Sequence, residues 1–297
     1  MRSSSVRKRK HFPFLPGDLL YRPGRIFSDF LFPPKCLVCG IFFQPPENDN
    51  ARDVHWEGPR HGTDGIWPGG IDPSRFLAPF LCPGCISGLT AAVPPICACC
   101  GIMFKVREGD DHLCGECITA PKNFNMARAA FVYDQIVMDV IHGYKYKGKI
   151  QLAGPLGKNM LTAFMKFWDN HLIDFIMPVP LHNNKFRQRG FNQSYLLVKN
   201  WKKLWAGSND KMPSFAIAKN ALKRIRPTAP QTGLGRADRL SNIKGAFAVD
   251  YRGTLESKKV LLVDDVYTTG ATVNECARVL LGAGVQSVDV LTLARAH

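Results

Sequence analysis

Val260-Leu261-Leu262-Val263-Asp264-Asp265-Val266-Tyr267-Thr268-Thr269-Gly270-Ala271-Thr272 is the stretch on which the fold turns. Its four leading apolar residues read as a strand buried on both faces, the habit of a parallel sheet. That strand carries two adjacent carboxylates to its carboxy-terminal end, the edge at which open α/β sheets bind ligands. A short loop follows, then helical spacing over Thr272–Leu281, stopped by Gly282 and Gly284. Amides of such a loop, with a helix amino terminus behind them, form a cradle for an anion. The hydroxyls of Thr268, Thr269 and Thr272 can donate to phosphate oxygens, and Gly270 lets the backbone of Gly270 and Ala271 come close. Ionised carboxylates only accept, so Asp264 and Asp265 suit the paired hydroxyls of a sugar. A phosphate cradle beside a diol clamp describes a ribose 5-phosphate site. An acidic pair built to hold Mg²⁺ in a receiver-like domain would follow the first strand, whereas this pair precedes the last helix. A dinucleotide fold would need G-x-G-x-x-G after the strand, and none is there.

Working outward, Ala127–Tyr133, Ile173–Val179 and Ser287–Leu293 read as further strands. Gln135–Tyr146, Leu152–Trp168 and Asn192–Trp205 read as helices, the last after a tight turn. Strands alternating with helices give an α/β fold: a parallel sheet flanked by helices. Lys145 and Lys147 stand beside Gly148 at a helix end, as dipole partners or as substrate contacts. Arg224 through Arg239 contains Arg224, Arg226, Gln231, Arg236 and Arg239, with Thr232-Gly233-Leu234-Gly235 as a hinge. It reads as a lid that excludes water from a substrate, or as a plain basic loop.

Composition changes near Pro121. Nine of the ten cysteines precede residue 118, arranged as Cys36/Cys39, Cys82/Cys85, Cys97/Cys100 and Cys114/Cys117, with Cys99 extra. A two-residue spacer lets both thiolates meet one tetrahedral ion, so the four pairs predict two structural Zn²⁺ sites. Pairing in sequence order is favoured, although interleaved pairing stays open. Ile41–Pro79 is rich in Pro, Gly, Asp and Asn and reads as a surface insertion, whose His55 and His61 are more simply solvated than ligating. The start, Met1 to Lys10, is basic, but Pro13, Pro16, Gly17 and Asp18 break the apolar stretch after it. No secretory signal is expected, nor a membrane span, and the location expected is cytoplasmic. Leu19–Leu31 has the spacing of a short amphipathic helix. The net charge of +15 is concentrated: Pro178–Leu240 holds thirteen Lys/Arg against Asp210 and Asp238. Such a field favours a polyanion, a phosphorylated metabolite or nucleic acid; the alternative is a solvated basic face.

Val260–Thr272 matches the phosphoribosyl-diphosphate (PRPP) motif of type I phosphoribosyltransferases. Together with the cysteine pairs, His182 with Arg189-Gly190-Phe191-Asn192-Gln193, and Gln231-Thr232-Gly233-Leu234 with Arg236 and Arg239, it makes the chain resemble the ComF family. The resemblance implies a double zinc ribbon at 31–121 behind a tail at 1–30, and a type I phosphoribosyltransferase domain at 122–297. It implies that PRPP binds with Mg²⁺, that Arg187 and Arg189 serve its diphosphate with Arg236 and Arg239 as catalytic residues of the lid, and that the protein is linked to DNA uptake or handling. Two functions follow as expectations. One is transfer of phosphoribosyl to an acceptor that the sequence does not identify. The other is binding of single-stranded DNA, alongside DNA-uptake proteins, with Phe186, Phe191, Tyr195 and Trp201 as stacking aromatics and PRPP as a regulatory ligand.

Overall fold

The computed structural model describes residues 33–45, 76–106, 108–168, 173–206, 214–228, 241–250 and 254–296. The basic tail with Leu19–Leu31, the histidines His55 and His61, and Gln231 through Arg239 lie outside them.

Five parallel strands form the central sheet. They are β1 (Ala127–Val132), β2 (Phe175–Pro178), β3 (Ala216–Ile217), β6 (Lys259–Tyr267) and β7 (Ser287–Arg295), in the order β1-β7-β6-β2-β3. Val260 through Val263 are at most 1% exposed. Burial of each such side chain contributes roughly 1.5–3 kcal/mol, which is why the apolar run becomes the centre of the sheet. β6 continues through the acids to Tyr267, paired with β7 all the way to Arg295, while β2 leaves it after Val263. Asp264 and Asp265 therefore sit on a strand, at the point where one of its two neighbours ends.

Helix α3 (Gln135–Tyr146) has the limits its spacing predicts. Asp134 caps it by accepting from the Val137 amide at 2.9 Å, and Val137, Val140, Ile141 and Tyr144 make its buried stripe. Helix α4 (Ala153–Phe167) crosses the same face of the sheet. The single helix expected over Asn192–Trp205 is two, α6 (Gln193–Val198) and α7 (Trp201–Ala206). Asn200 stands at the start of the second, where Asn is favoured far more than in a helix interior. Trp201 and Trp205 still reach the core, and Trp201 Nε1 donates to the Gly157 carbonyl of α4 at 3.1 Å. Gly157 is required there, because a Cβ would lie 2.4 Å from the Leu197 carbonyl oxygen.

Several elements were not expected. Helix α5 (Asn183–Arg189) fills what reads as a loop, capped by His182 and stopped by Gly190 at φ +78°. The two-residue strand β3 forms one edge of the sheet, and β4 (Leu222–Arg224) with β5 (Phe247–Val249) makes a separate antiparallel pair. Two further short helices, α1 (Pro83–Ser87) and α2 (Gly115–Thr119), each start directly after a cysteine; the last long helix, α8, is Ala271–Leu281. At the ends of the Ile41–Pro79 stretch, Phe43, Phe76 and Leu77 are buried against Cys36 and Cys82 rather than exposed.

Candidate functional site

The eight paired cysteines converge on two points, in sequence order. The sulfurs of Cys36, Cys39, Cys82 and Cys85 all lie within 4.8 Å of one another, and so do those of Cys97, Cys100, Cys114 and Cys117. A tetrahedral ion with Zn–S bonds of about 2.3 Å sets its sulfurs about 3.8 Å apart. Cys39 and Cys82 are 3.7 Å apart, as are Cys100 and Cys114, so both groups fit zinc. Turns at Gly40 (φ +76°) and Gly101 (φ +67°) shape the knuckles. The Cys97 sulfur accepts from the Cys100 and Cys114 amides at 3.4 and 3.3 Å, bonds that favour a thiolate. Cys99 is outside the second set, and its carbonyl instead anchors the Ala127 amide at 2.6 Å.

The second centre is a cavity of ≈ 310 Å³ over the carboxy ends of β6 and β2. Asp264 and Asp265 form its floor. Asp264 Oδ1 accepts from Ser194 Oγ and from the Asp265 amide, both at 2.9 Å. Asp265 makes an ion pair with Lys145 at 2.7 Å. Asp264 Oδ2 and Asp265 Oδ1 accept from no described residue, and both acids line the cavity. Desolvation first, and the Asp265 carboxylate second, push the Asp264 pKa up to about 7. Burial works against the Lys145 charge, but Asp265 outweighs it and the ammonium is held above its ordinary range.

Beside the acids, Thr268, Gly270, Ala271 and Thr272 line the same cavity. The amides of Thr268, Thr269 and Gly270 donate to no described group. Gly270 stands at φ +75° over the Tyr267 ring, where a Cβ would lie 2.2 Å from the phenol oxygen. Only glycine lets the loop fold back over that ring. The opposite wall is basic: Lys185 and Arg189 from α5 and Arg224 from β4. Arg189 lies 4.6 Å over the Tyr146 ring and donates to its hydroxyl and to Gln193 Oε1.

The predicted residues are thus divided. Asp264, Asp265, Thr268, Gly270, Ala271, Thr272 and Arg189 come together around one cavity. Thr269 turns its hydroxyl to the Ala271 amide at 3.4 Å, and Arg187 is exposed on α5, away from the cavity lining. Arg236 and Arg239 lie outside the described residues. Among the aromatics named for stacking, Trp201 is fully buried and Phe191 packs on the core beside Tyr144. Tyr133, Tyr146, Lys185 and Tyr267 line the cavity without having been picked out for a ligand role. Only the position of Tyr267 in the motif signalled one of them.

Comparison with known proteins agrees with this arrangement. Residues 236–297 match the family model for the phosphoribosyl transferase domain. The chain is 30% identical over 220 residues to Competence protein F of Haemophilus influenzae, covering 73% of this chain and 90% of that protein. It is also 30% identical over 219 residues to the DNA utilization protein YhgH of Escherichia coli, covering 72% and 90%, and 26% identical over 223 residues to Competence protein ComFC of Bacillus subtilis, covering 72% and 84%. A phosphoribosyl transferase sheet preceded by two four-cysteine sites, matched along nearly the whole of these relatives, places this chain in the ComF family.

Proposed function

We propose that the protein binds PRPP in the cavity over β6 and transfers its phosphoribosyl group to an acceptor. The observation that carries this is the meeting, in one cavity, of two carboxylates with a loop at the start of α8 whose Thr268, Thr269 and Gly270 amides donate to no described group. The amides and the Thr268 and Thr272 hydroxyls take the 5-phosphate, and Asp264 with Asp265 takes the ribose hydroxyls. Lys145 holds Asp265 in place through their ion pair. Lys185, Arg189 and Arg224 face the diphosphate and stabilise its charge as it leaves C1, the kind of preorganised stabilisation that lowers such a barrier most. Mg²⁺ accompanies PRPP and supplies further charge neutralisation to the leaving group. Arg236 and Arg239 are assigned to a closing lid. The acceptor attacks C1 from the face that the diphosphate leaves open.

Calorimetric titration of Mg·PRPP into the wild type and into Asp264→Asn/Asp265→Asn tests the site. Saturable heat from the wild type, lost in the double variant, is expected; equal heat from both would refute the assignment. Labelled PRPP offered with candidate acceptors tests the transfer.

A second reading, single-stranded-DNA binding in a role linked to DNA uptake, rests on a different observation. Phe186 is 48% exposed on α5 among Lys185, Arg187 and Arg189, a stacking side chain set among cations. DNA affinity that falls steeply with salt, and weakens when Arg187 is neutralised, is its signature. Salt-independent binding would count against it.

A further inference from the structure

The last strand ends in a buried arginine that touches both centres. Arg295 Nε donates to the Cys100 carbonyl at 3.1 Å, and its Nη2 lies 3.7 Å from the Cys100 sulfur. Its Nη1 donates to the Thr268 carbonyl at 3.0 Å and also to the Ala296 carbonyl. The guanidinium carbon stands 4.2 Å from the centre of the Tyr267 ring, the ring against which Gly270 folds. One planar fork therefore spans from a ligand of the second four-thiolate site to the first residue of the phosphate loop. The strand carrying it is pinned in register, Arg295 opposite Tyr267.

The neighbourhood is stiff. Arg128 donates to the Ala98 carbonyl at 3.1 Å, and a Cβ on Gly101 would lie 2.4 Å from the Ala127 carbonyl oxygen. The knuckle of Cys97–Cys100 thus rests directly on β1, and a shift of Cys100 cannot be absorbed by slack in between. The first four-thiolate site differs. Its Cys36, Cys82 and Cys85 belong to the core cluster that includes Ala130 and Phe131 of β1, and Lys149 Nζ donates to the Leu37 carbonyl at 2.7 Å, but among the described residues no hydrogen bond joins its cysteines to the phosphate loop.

We infer that Arg295 couples the second four-cysteine site to the phosphate loop, so that metal there and sugar phosphate in the loop strengthen each other's binding, while the first site stands apart. Metal fixes the Cys100 carbonyl and sulfur, which fixes the guanidinium, which holds the Thr268 carbonyl outward and its loop's amides inward. Coupling is reciprocal, so ligand in the loop must tighten metal in the second site by the same factor. This rests on the reading of the loop as a PRPP site.

The test partitions zinc at equilibrium between the full-length protein and a zinc-selective colorimetric chelator, with and without saturating Mg·PRPP. One of the two zinc equivalents is expected to become about fivefold or more harder to extract, the lower end of ordinary allosteric coupling. Cys39→Ser, which disables the first site, keeps the protected equivalent. Arg295→Lys retains the charge without the fork and loses the protection. Should that variant not fold, the wild-type contrast between the two equivalents still decides. Heat of Mg·PRPP binding with equal extraction of both equivalents overturns the coupling alone. No heat at all overturns the reading of the loop and this inference with it.

Discussion

Replacing Asp264 by Asn should stabilise the ligand-free protein while removing its capacity to hold the ribose. The carboxyl is crowded by protein and faces Asp265, and its pKa stands at about 7 against an ordinary 3.8. The sign follows directly. Between 3.8 and about 7 the folded protein keeps a proton that the unfolded chain has given up. Wild-type stability therefore falls as pH rises through that window, and the full penalty is present above it. A displacement of that size caps the penalty at about 4 kcal/mol. Solvent screening through the open cavity brings what can be recovered to roughly 1–2 kcal/mol, and Asn still accepts from Ser194 and the Asp265 amide. For a domain of this size that is a rise of on the order of 2–8 °C in Tm. Thermal melts of both proteins at pH 5 and pH 8, without PRPP, measure it. The variant should gain at pH 8 and lose most of its advantage at pH 5. An advantage that is absent at pH 8, or the same at both values, would show that the buried charge is not what destabilises the site.

Lys145→Met removes the counter-ion of a buried carboxylate and should cost about 3 kcal/mol; urea unfolding of this variant and of Lys145→Met/Asp265→Asn, which should recover much of the loss, reads it out. Gly157→Ala presses a methyl onto the Leu197 carbonyl and should destabilise by about 1–3 kcal/mol with no specific effect on PRPP titration. Metal analysis of the purified protein should return two zinc equivalents per chain, and stripping them should unfold the cysteine-rich part; a folded, metal-free preparation would contradict both sites.

The sheet's centre was legible because four apolar residues in a row with a Thr-Gly loop after them have few other uses. The limits of α3 were legible because Asp134 supplies a cap and Gly148 an end. The cysteine groups were legible from spacing, and the structure pairs them in order. What stayed hidden depends on distance along the chain. Nothing local in Tyr144-Lys145-Tyr146 says that Lys145 will meet Asp265, nor in Ala294-Arg295-Ala296 that Arg295 will reach Cys100. β4 and β5 are three residues each, with no turn dipeptide joining them, so no periodic signal announces their pairing. Helix α5 was hidden behind a polar, arginine-rich composition that buries none of its side chains.

The strand order has a consequence for synthesis. β1 is an edge whose one partner in the sheet is β7, made after every other strand. On the ribosome, Thr90, Ala92 and Cys99 can bond one side of Ala127–Val132 at once, but the groups that face β7 must wait while most of the domain is translated. The nascent chain thus carries an open template for wrong pairing until Ser287–Arg295 slides in between β1 and β6, and that insertion completes the sheet.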